Sequence, residues 1–279
     1  MSQPSLTLTH PAAGTRPGQA ARQGRRLLEL AGAAAIAATY VFLVLTQPAD
    51  IANGPAGFAA LVALGGFLLG AVLLLLAVLP VLPTSTLVLM PVALVLNVVL
   101  GQLMGTTGLP FYFDAIGTVL IAVLAGPAAG AATGVLSSVV WSFINPTVLP
   151  FAAGAALIGF LAGLAGRGGL FRRFYLAPVA GFVTGILAGV VSAPIAAFVF
   201  GGTAGLGTGA IVGAFRAMGD TLLAAITKQA LISDPMDKAI VFAVAALLAY
   251  ALPRRTTFQF PFVRRFRVLA GRAPVTPAS

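Results

Sequence analysis

The sequence predicts an all-α polytopic membrane protein with eight spans and both termini cytoplasmic. Three observations lead there. Hydrophobic residues make up 59% of the 279 positions and charged residues only 8%, whereas a soluble domain carries about a quarter charged. Apolar stretches close to the length of a membrane span recur along the chain, separated by Pro, Gly, Asn and Asp. The basic residues gather between particular stretches, as the cytoplasmic flanks of membrane helices do. The composition also excludes whole classes. With no Cys and a single His, no disulfide framework, thiolate nucleophile, Cys/His zinc site or haem ligand pair can be built, so no metal or cofactor is expected.

Residues 1–26 are Pro/Gly/Ser/Thr/Gln-rich, carry Arg16, Arg22, Arg25 and Arg26, and read as a disordered basic tail. No small-residue cleavage pattern follows Leu27, which makes a cleaved signal peptide the weaker reading. Apolar stretches 27–46 and 57–79 form a two-helix N-terminal region, 27–82, and 86–104 supplies the next helix. The run 113–143 is too long for one ordinary helix and holds Gly126-Pro127 at its middle. Proline suits the first turn of a new helix, so the run divides into two spans of about 17 residues, the first starting at Pro110. Stretches 150–166 and 177–200 follow. The stretch 209–232 contains Arg216, Asp220 and Lys228, with Arg216 and Asp220 spaced as an i,i+4 ion pair, and suits an amphipathic segment at the outer interface. Asp234-Pro235 then breaks the chain, Asp237-Lys238 start a last helix over 236–252, and 256–279 is a basic cytoplasmic tail.

Charge decides among the possible threadings. This one leaves 13 of the 16 basic residues cytoplasmic, with only Arg216, Lys228 and Lys238 outside. Making 113–143 one span and 209–232 another exports Arg167, Arg172 and Arg173; a ninth span exports the C-terminal basic segment instead. The net charge of +10 is thereby accounted for without a nucleic-acid partner. Arg outnumbers Lys 14 to 2 beside abundant Ala, Gly and Pro, the composition of a GC-rich bacterial genome, and points to a bacterial plasma (inner) membrane. Small residues recur every four positions at Gly126, Gly130 and Gly134, at Ala155, Gly159 and Gly163, and at Gly181, Gly185 and Gly189. Such stripes let helices approach closely, and here they read as packing within the chain.

Few residues can carry chemistry. The only lysines, Lys228 and Lys238, do not follow glycines, so there is no P-loop, and His10 has no nucleophile beside it. Asp114 and Asp220 could in principle share a proton as aspartic proteases do. Their strings FYFD and AMGD resemble those of intramembrane aspartyl proteases faintly, with Phe113 and Ala217 standing where that family has Tyr and Gly. The stronger constellation lies on the outer side: Tyr112, Asp114, Trp141, Asn145, Arg216, Asp220 and Lys228. Apolar walls with a few convergent polar groups suit a small-molecule ligand. Each also has a structural reading: Tyr112 and Trp141 as interfacial aromatics, Asp114 as a helix cap, Arg216–Asp220 as a surface pair.

From about residue 84 to 255 the chain resembles the substrate-binding S components of energy-coupling-factor transporters. The stretches that carry the resemblance are LVLNVVLGQLMG (94–105), LPFYFDAIGTVLIAVLAGPAAGAATGVLSS (109–138), LPFAAGAALIGFLAGLAGRGGLFRR (149–173), FGGTAGLG (200–207) and DPMDKAIVFAVAALLAYALPRR (234–255). The resemblance implies a six-helix core over 83–255, preceded by two additional helices. It implies a non-enzymatic subunit that binds a vitamin or related micronutrient from outside. Partners would be a transmembrane coupling protein and two cytoplasmic ATPases, beside the membrane lipid. The Ala-x-x-x-Ala pattern with which the family meets its coupling protein is imperfect, since Ala93 is followed by Asn97. The histidine after Met1 that metal-transporting members use is absent. Alternatives are a membrane sensor or interaction subunit reusing the fold and, remotely, the aspartyl protease.

Overall fold

The computed structural model describes residues 17–48, 57–201 and 206–269, and every regular element among them is helical. Helices α1 (Pro17–Thr46) and α2 (Phe58–Val78) pack along each other, and α2 also lies on α5 (Pro127–Ser142). The other elements are α3 (Thr84–Met104), α4 (Ile116–Ala125), α6 (Ala152–Arg167), α7 (Leu176–Phe200), α8 (Leu206–Ala217), α9 (Leu222–Ala251), and the short α10 (Arg254–Thr257) and α11 (Pro261–Phe266). Five helical segments, 21–46, 58–81, 84–104, 146–167 and 176–199, are long and apolar enough to cross a membrane. The architecture is that of an all-α multi-pass membrane protein. The outside of the bundle is apolar too: Val88, Val92, Val95 and Val99 form an exposed stripe along α3, as a lipid-facing surface requires.

Glycine and proline set the local turns. The run 113–143 does divide at Gly126, whose φ of 98° is a backbone conformation closed to most side chains, and Pro127 opens α5. Yet α4 starts at Ile116 and has only 10 residues, about 15 Å of helix against a hydrocarbon core of about 30 Å. The expected helix start at Pro110 is thus corrected: residues 110–115 are non-helical, and Phe113 sits at φ 50°. Helix α5 lies close on α6 where a Cβ on Gly159 would come 2.2 Å from the Gly130 carbonyl oxygen. Gly134 meets the Ala155 carbonyl in the same interface, and Gly163 meets Pro127. Gly181, Gly185 and Gly189 of α7 seat against Lys238, Asp234-Pro235 and Ala230 of α9, the most extensive interface in the bundle.

Three other sequence expectations change. Asp234-Pro235 does not end a helix; Pro235 lies inside α9, which runs unbroken for 30 residues. The real break falls earlier, at Gly219 (φ 95°), so the expected 209–232 segment is shared between α8 and the first part of α9. The supposed tail 1–26 is helical from Pro17 onward, because Gln, Ala and Arg extend α1 upstream of its apolar part; residues 1–16 lie outside the described residues. The supposed C-terminal tail folds back on the bundle up to residue 269. Phe260, Val263, Val268 and Leu269 are buried in the core cluster shared with α4, α6, α7 and α9. Arg272 lies outside the described residues.

The basic residues collect at one end of this bundle. Arg172 donates to the Phe266 and Arg267 carbonyls at 3.0 Å each, Arg167 and Arg265 both lie over the Phe266 ring, and Arg25 and Arg26 line the same cavity as Arg167 and Arg265. At the other end the α3–α4 connection meets the start of α8, where Gly207 abuts Gly108–Pro110.

Candidate functional site

The short α4 leaves backbone donors in the α3–α4 connection that helix formation would have satisfied. Two buried side-chain oxygens, of Asp237 and Asn97, accept from donors there and in the first turn of α4. The Asp237 Oδ1 accepts from the backbone N–H groups of Tyr112 and Phe113, both at 3.0 Å. The Asn97 Oδ1 accepts from Gly117 N–H at 2.7 Å, while its amide donates to Thr118 Oγ1 at 2.8 Å and Ser137 Oγ at 2.9 Å. Irregular backbone within a membrane bundle persists only where protein supplies such partners. The left-handed conformation of Phe113, unusual for a non-glycine residue, is held by the same Asp237 contact and by ring stacking of Phe113 on Phe111.

Around Asp237 sits a buried ionic cluster near the middle of α9. Lys238 is 4% exposed and Asp237 fully buried. The Lys238 ammonium donates to Asp237 Oδ2 at 2.6 Å and to Asp114 Oδ1 at 3.0 Å, and lies 6.0 Å from the centre of the Tyr112 ring. Asp114 itself precedes the N-terminus of α4, where the helix dipole favours a negative charge. One turn earlier on α9, Asp234 is 8% exposed and makes no hydrogen bond or ion pair among the described residues. Its spacing to Asp237 and Lys238 puts it on their face of the helix, and Gly189 of α7 leaves room for its carboxylate. Three carboxylates thus face one ammonium, an excess of two negative charges (3 − 1) when all are ionised.

Above this cluster lies Trp141. Its indole N–H donates to Gln102 at 3.1 Å, and its ring lies over Gly101, where a Cβ would meet both Trp141 (2.3 Å) and the Asp114 Cβ (3.1 Å). The Tyr112 side chain is hydrogen-bonded to Thr208 of α8. Tyr112, Asp114 and Trp141 therefore come together, with Gly101, Gln102, Asp234, Asp237 and Lys238 completing the corner. Asp114 keeps a side-chain exposure of 34%, so the corner is open on that side.

The remaining residues singled out in the sequence lie elsewhere. Asn145 caps a 3-10 turn over Pro146–Phe151, accepting from Thr147 N–H at 3.2 Å and from its hydroxyl at 2.6 Å. Arg216, Asp220 and Lys228 form a separate group at the α8–α9 corner. The Asp220 carboxylate pairs with Lys228 at 2.7 Å, not with Arg216, whose guanidinium bonds the Asp220 carbonyl at 3.2 Å. Gly219 turns the chain between them and breaks the helix that the i,i+4 pairing required. Asp114 and Asp220 are held by different lysines, ten residues apart on α9 or about 15 Å of helix, so they share no proton. Ala93 (3% exposed) and Asn97 (1%) face α4 and α5 and pack within the bundle.

Asp234, Asp237 and Lys238 are the residues that sequence reasoning missed. The available signal was an Asp-x-x-Asp-Lys group inside an apolar stretch, where ionisable residues mark function by default. Among the described residues, no group of His, Cys, Asp and Glu could hold a metal ion. Comparison of the chain with protein-family models, with curated proteins and with solved structures gives no match, so the likeness to energy-coupling-factor S components rests on the sequence strings alone.

Proposed function

We propose that this chain is a substrate-binding membrane subunit for uptake of a vitamin or related micronutrient, with ATP hydrolysis supplied by partner subunits. It sits in a bacterial plasma membrane with the basic end of the bundle cytoplasmic. Eight passes follow: α1 to α7 and α9 cross, the short α4 is completed by the 105–115 connection, and α8 lies at the outer side. The observation that carries the reading is the cluster of half-buried Asp114 with buried Asp237 and Lys238 beneath Trp141, with Asp234 beside it making no hydrogen bond among the described residues. Holding the α3–α4 connection needs Asp237 and its lysine. It does not need Asp234, nor the open side of Asp114. The surplus negative charge and the aromatic pair suit a cationic or amine-bearing organic ligand, stacked on Trp141 with its positive group toward Asp114 and Asp234.

The test is ligand recovery. Mass spectrometry of detergent-extracted protein should reveal a bound cationic small molecule. Asp114→Asn should cut its retention, because one charge-assisted hydrogen bond is worth about 1.5–3 kcal/mol, or roughly 10- to 100-fold in affinity. Asp237 still neutralises Lys238 in that variant, so the fold survives. Empty preparations, together with no uptake in cells that supply a coupling module, would sink the reading. A second reading, a sensor or interaction subunit on the same fold, is favoured by one observation: Ala93 and Asn97 are turned inward. Recovery of a stable complex with a non-transport protein, and none with a coupling module, would select it.

A further inference from the structure

A cavity of about 900 Å³ lies at the basic end of the bundle, remote from the Asp114 corner. One wall is α1, through Ala33, Ala37 and Tyr40; the other is α6, through Leu157, Phe160 and Leu164. The floor is the turn between α4 and α5. Sequence accounts for the gap. Helix α1 packs mainly on α2 and touches α6 and α7 only sparsely, and the residues it turns toward α6 include two alanines. The Tyr40 hydroxyl donates to the Val191 carbonyl at 2.9 Å and pins α1 to α7 at one end of the crevice. The volume falls within the roughly 300–1,000 Å³ of ordinary ligand pockets.

The mouth of the crevice is strongly cationic. Arg25 and Arg26 enter from α1, Arg167 from the end of α6 and Arg265 from α11, against the single carboxylate of Glu29. Four guanidinium groups less one carboxylate leave an excess of three positive charges (4 − 1). Arg167 and Arg265 flank one aromatic ring, 5.2 and 5.3 Å from the centre of Phe266, and neither forms an ion pair among the described residues. The Arg25 Nε is buried without a hydrogen-bond acceptor, Glu29 standing 3.5 Å away. Four guanidinium groups at one mouth with a single carboxylate among them, two of them without an ion pair, are arranged for an oxyanion, which guanidinium binds in a planar, bidentate manner.

We propose that this crevice binds an anionic phospholipid from the leaflet at the basic end. Its phosphate sits among Arg25, Arg26, Arg167 and Arg265, and an acyl chain lies between α1 and α6. A soluble anion would match the mouth but leave the apolar crevice unfilled, whereas an amphiphile matches both. A lipid chain entering the crevice only exchanges one apolar surrounding for another, so its fit does little to distinguish one lipid from another. Selectivity therefore resides in headgroup charge. The site is independent of the ligand corner at Asp114, and its occupant fills the seam between α1 and the rest of the bundle.

The test is native mass spectrometry of the full chain in detergent, given equal amounts of phosphatidylglycerol and phosphatidylcholine with identical acyl chains. Phosphatidylglycerol should be retained in preference by about tenfold or more, as expected when several basic residues each favour an anionic headgroup. Arg167→Gln with Arg265→Gln should bring that preference close to unity. Ala37→Phe, which fills the crevice and leaves every charge in place, should lower total lipid retention; circular dichroism of each variant checks that it is folded. Equal retention of the two lipids by the native chain overturns the proposal. So does a preference that survives the double arginine change, or full lipid retention by Ala37→Phe. If millimolar inorganic phosphate displaces the lipid and binds in its place, the site is one for a soluble anion and the lipid assignment falls.

Discussion

Asp234 and Asp237 stand three residues apart on α9, and the fold treats them oppositely. Asp237 takes two backbone N–H groups and the Lys238 ammonium; Asp234 takes no hydrogen bond among the described residues. Truncating one member of a buried pair costs about 3–5 kcal/mol, because the partner is left uncompensated. Asp237→Ala should accordingly lower the unfolding temperature of detergent-solubilised protein sharply and loosen the α3–α4 connection. Asp234→Asn removes a buried carboxylate that makes no hydrogen bond, and Asp114 and Asp237 still neutralise Lys238, so it should leave thermal stability unchanged or raise it while weakening retention of a cationic ligand. A large destabilisation by Asp234→Asn would mean that the carboxylate has a structural role. Asn97 offers a third comparison: Asn97→Leu strands the Gly117 N–H and should cost about 1–3 kcal/mol, read as a lower unfolding temperature. Tyr112, Asp114 and Trp141 were legible in the sequence because acids and large aromatics are conspicuous in such an apolar chain. Asp237 and Lys238 were not, since side by side after Asp234-Pro235 they resemble a helix start. The backbone that Asp237 serves lies 124 and 125 residues away.

At the scale of elements, two proline-bearing breaks of similar appearance had opposite outcomes. Gly126-Pro127 divides two helices because Gly126 adopts a positive φ and Pro127 opens the next helix, both local requirements. Asp234-Pro235 leaves α9 continuous because that stretch is clasped by α7 through Gly185 and Gly189, a long-range contact that no local pattern announces. Close backbone approach is what these interfaces depend on, and it can be tested at α5–α6. Gly159→Val puts a Cβ 2.2 Å from the Gly130 carbonyl oxygen, a backbone atom that cannot rotate away. The helices must separate, at a cost on the order of 1–3 kcal/mol or more. Gly65→Val, at an exposed position on α2 with no atom within 4 Å of the added Cβ, should stay within about 0.5 kcal/mol of the parent. Unfolding temperatures of the two variants in one detergent decide the matter, and equal values would mean that α5 and α6 are not in backbone contact.

For the whole molecule, the decisive quantity is which end of the bundle faces the cytoplasm. Counting arginines along the sequence already separated two classes of connection, and the fold collects Arg25, Arg26, Arg167, Arg172, Arg265 and Arg267 at one end through contacts far apart in sequence. It could not be seen from the sequence that residues up to 269 are part of that end, because a run alternating arginine with Phe and Val reads as a charged tail until its apolar half is buried. Positive charge is retained on the cytoplasmic side during insertion, which is why the proposed arrangement has the Arg-rich end inside and the α3–α4 connection outside. The absence of cysteine makes this directly measurable. Thr107→Cys, exposed in the α3–α4 connection, should react with a membrane-impermeant maleimide in intact cells. Gln23→Cys, exposed on α1 at the basic end, should react only after permeabilisation. The reversed pattern would put the Trp141 and Asp114 corner on the cytoplasmic side and remove uptake from outside as its function. Labelling of both sites in intact cells would contradict the proposed eight-pass arrangement, in which these two positions are separated by an odd number of crossings.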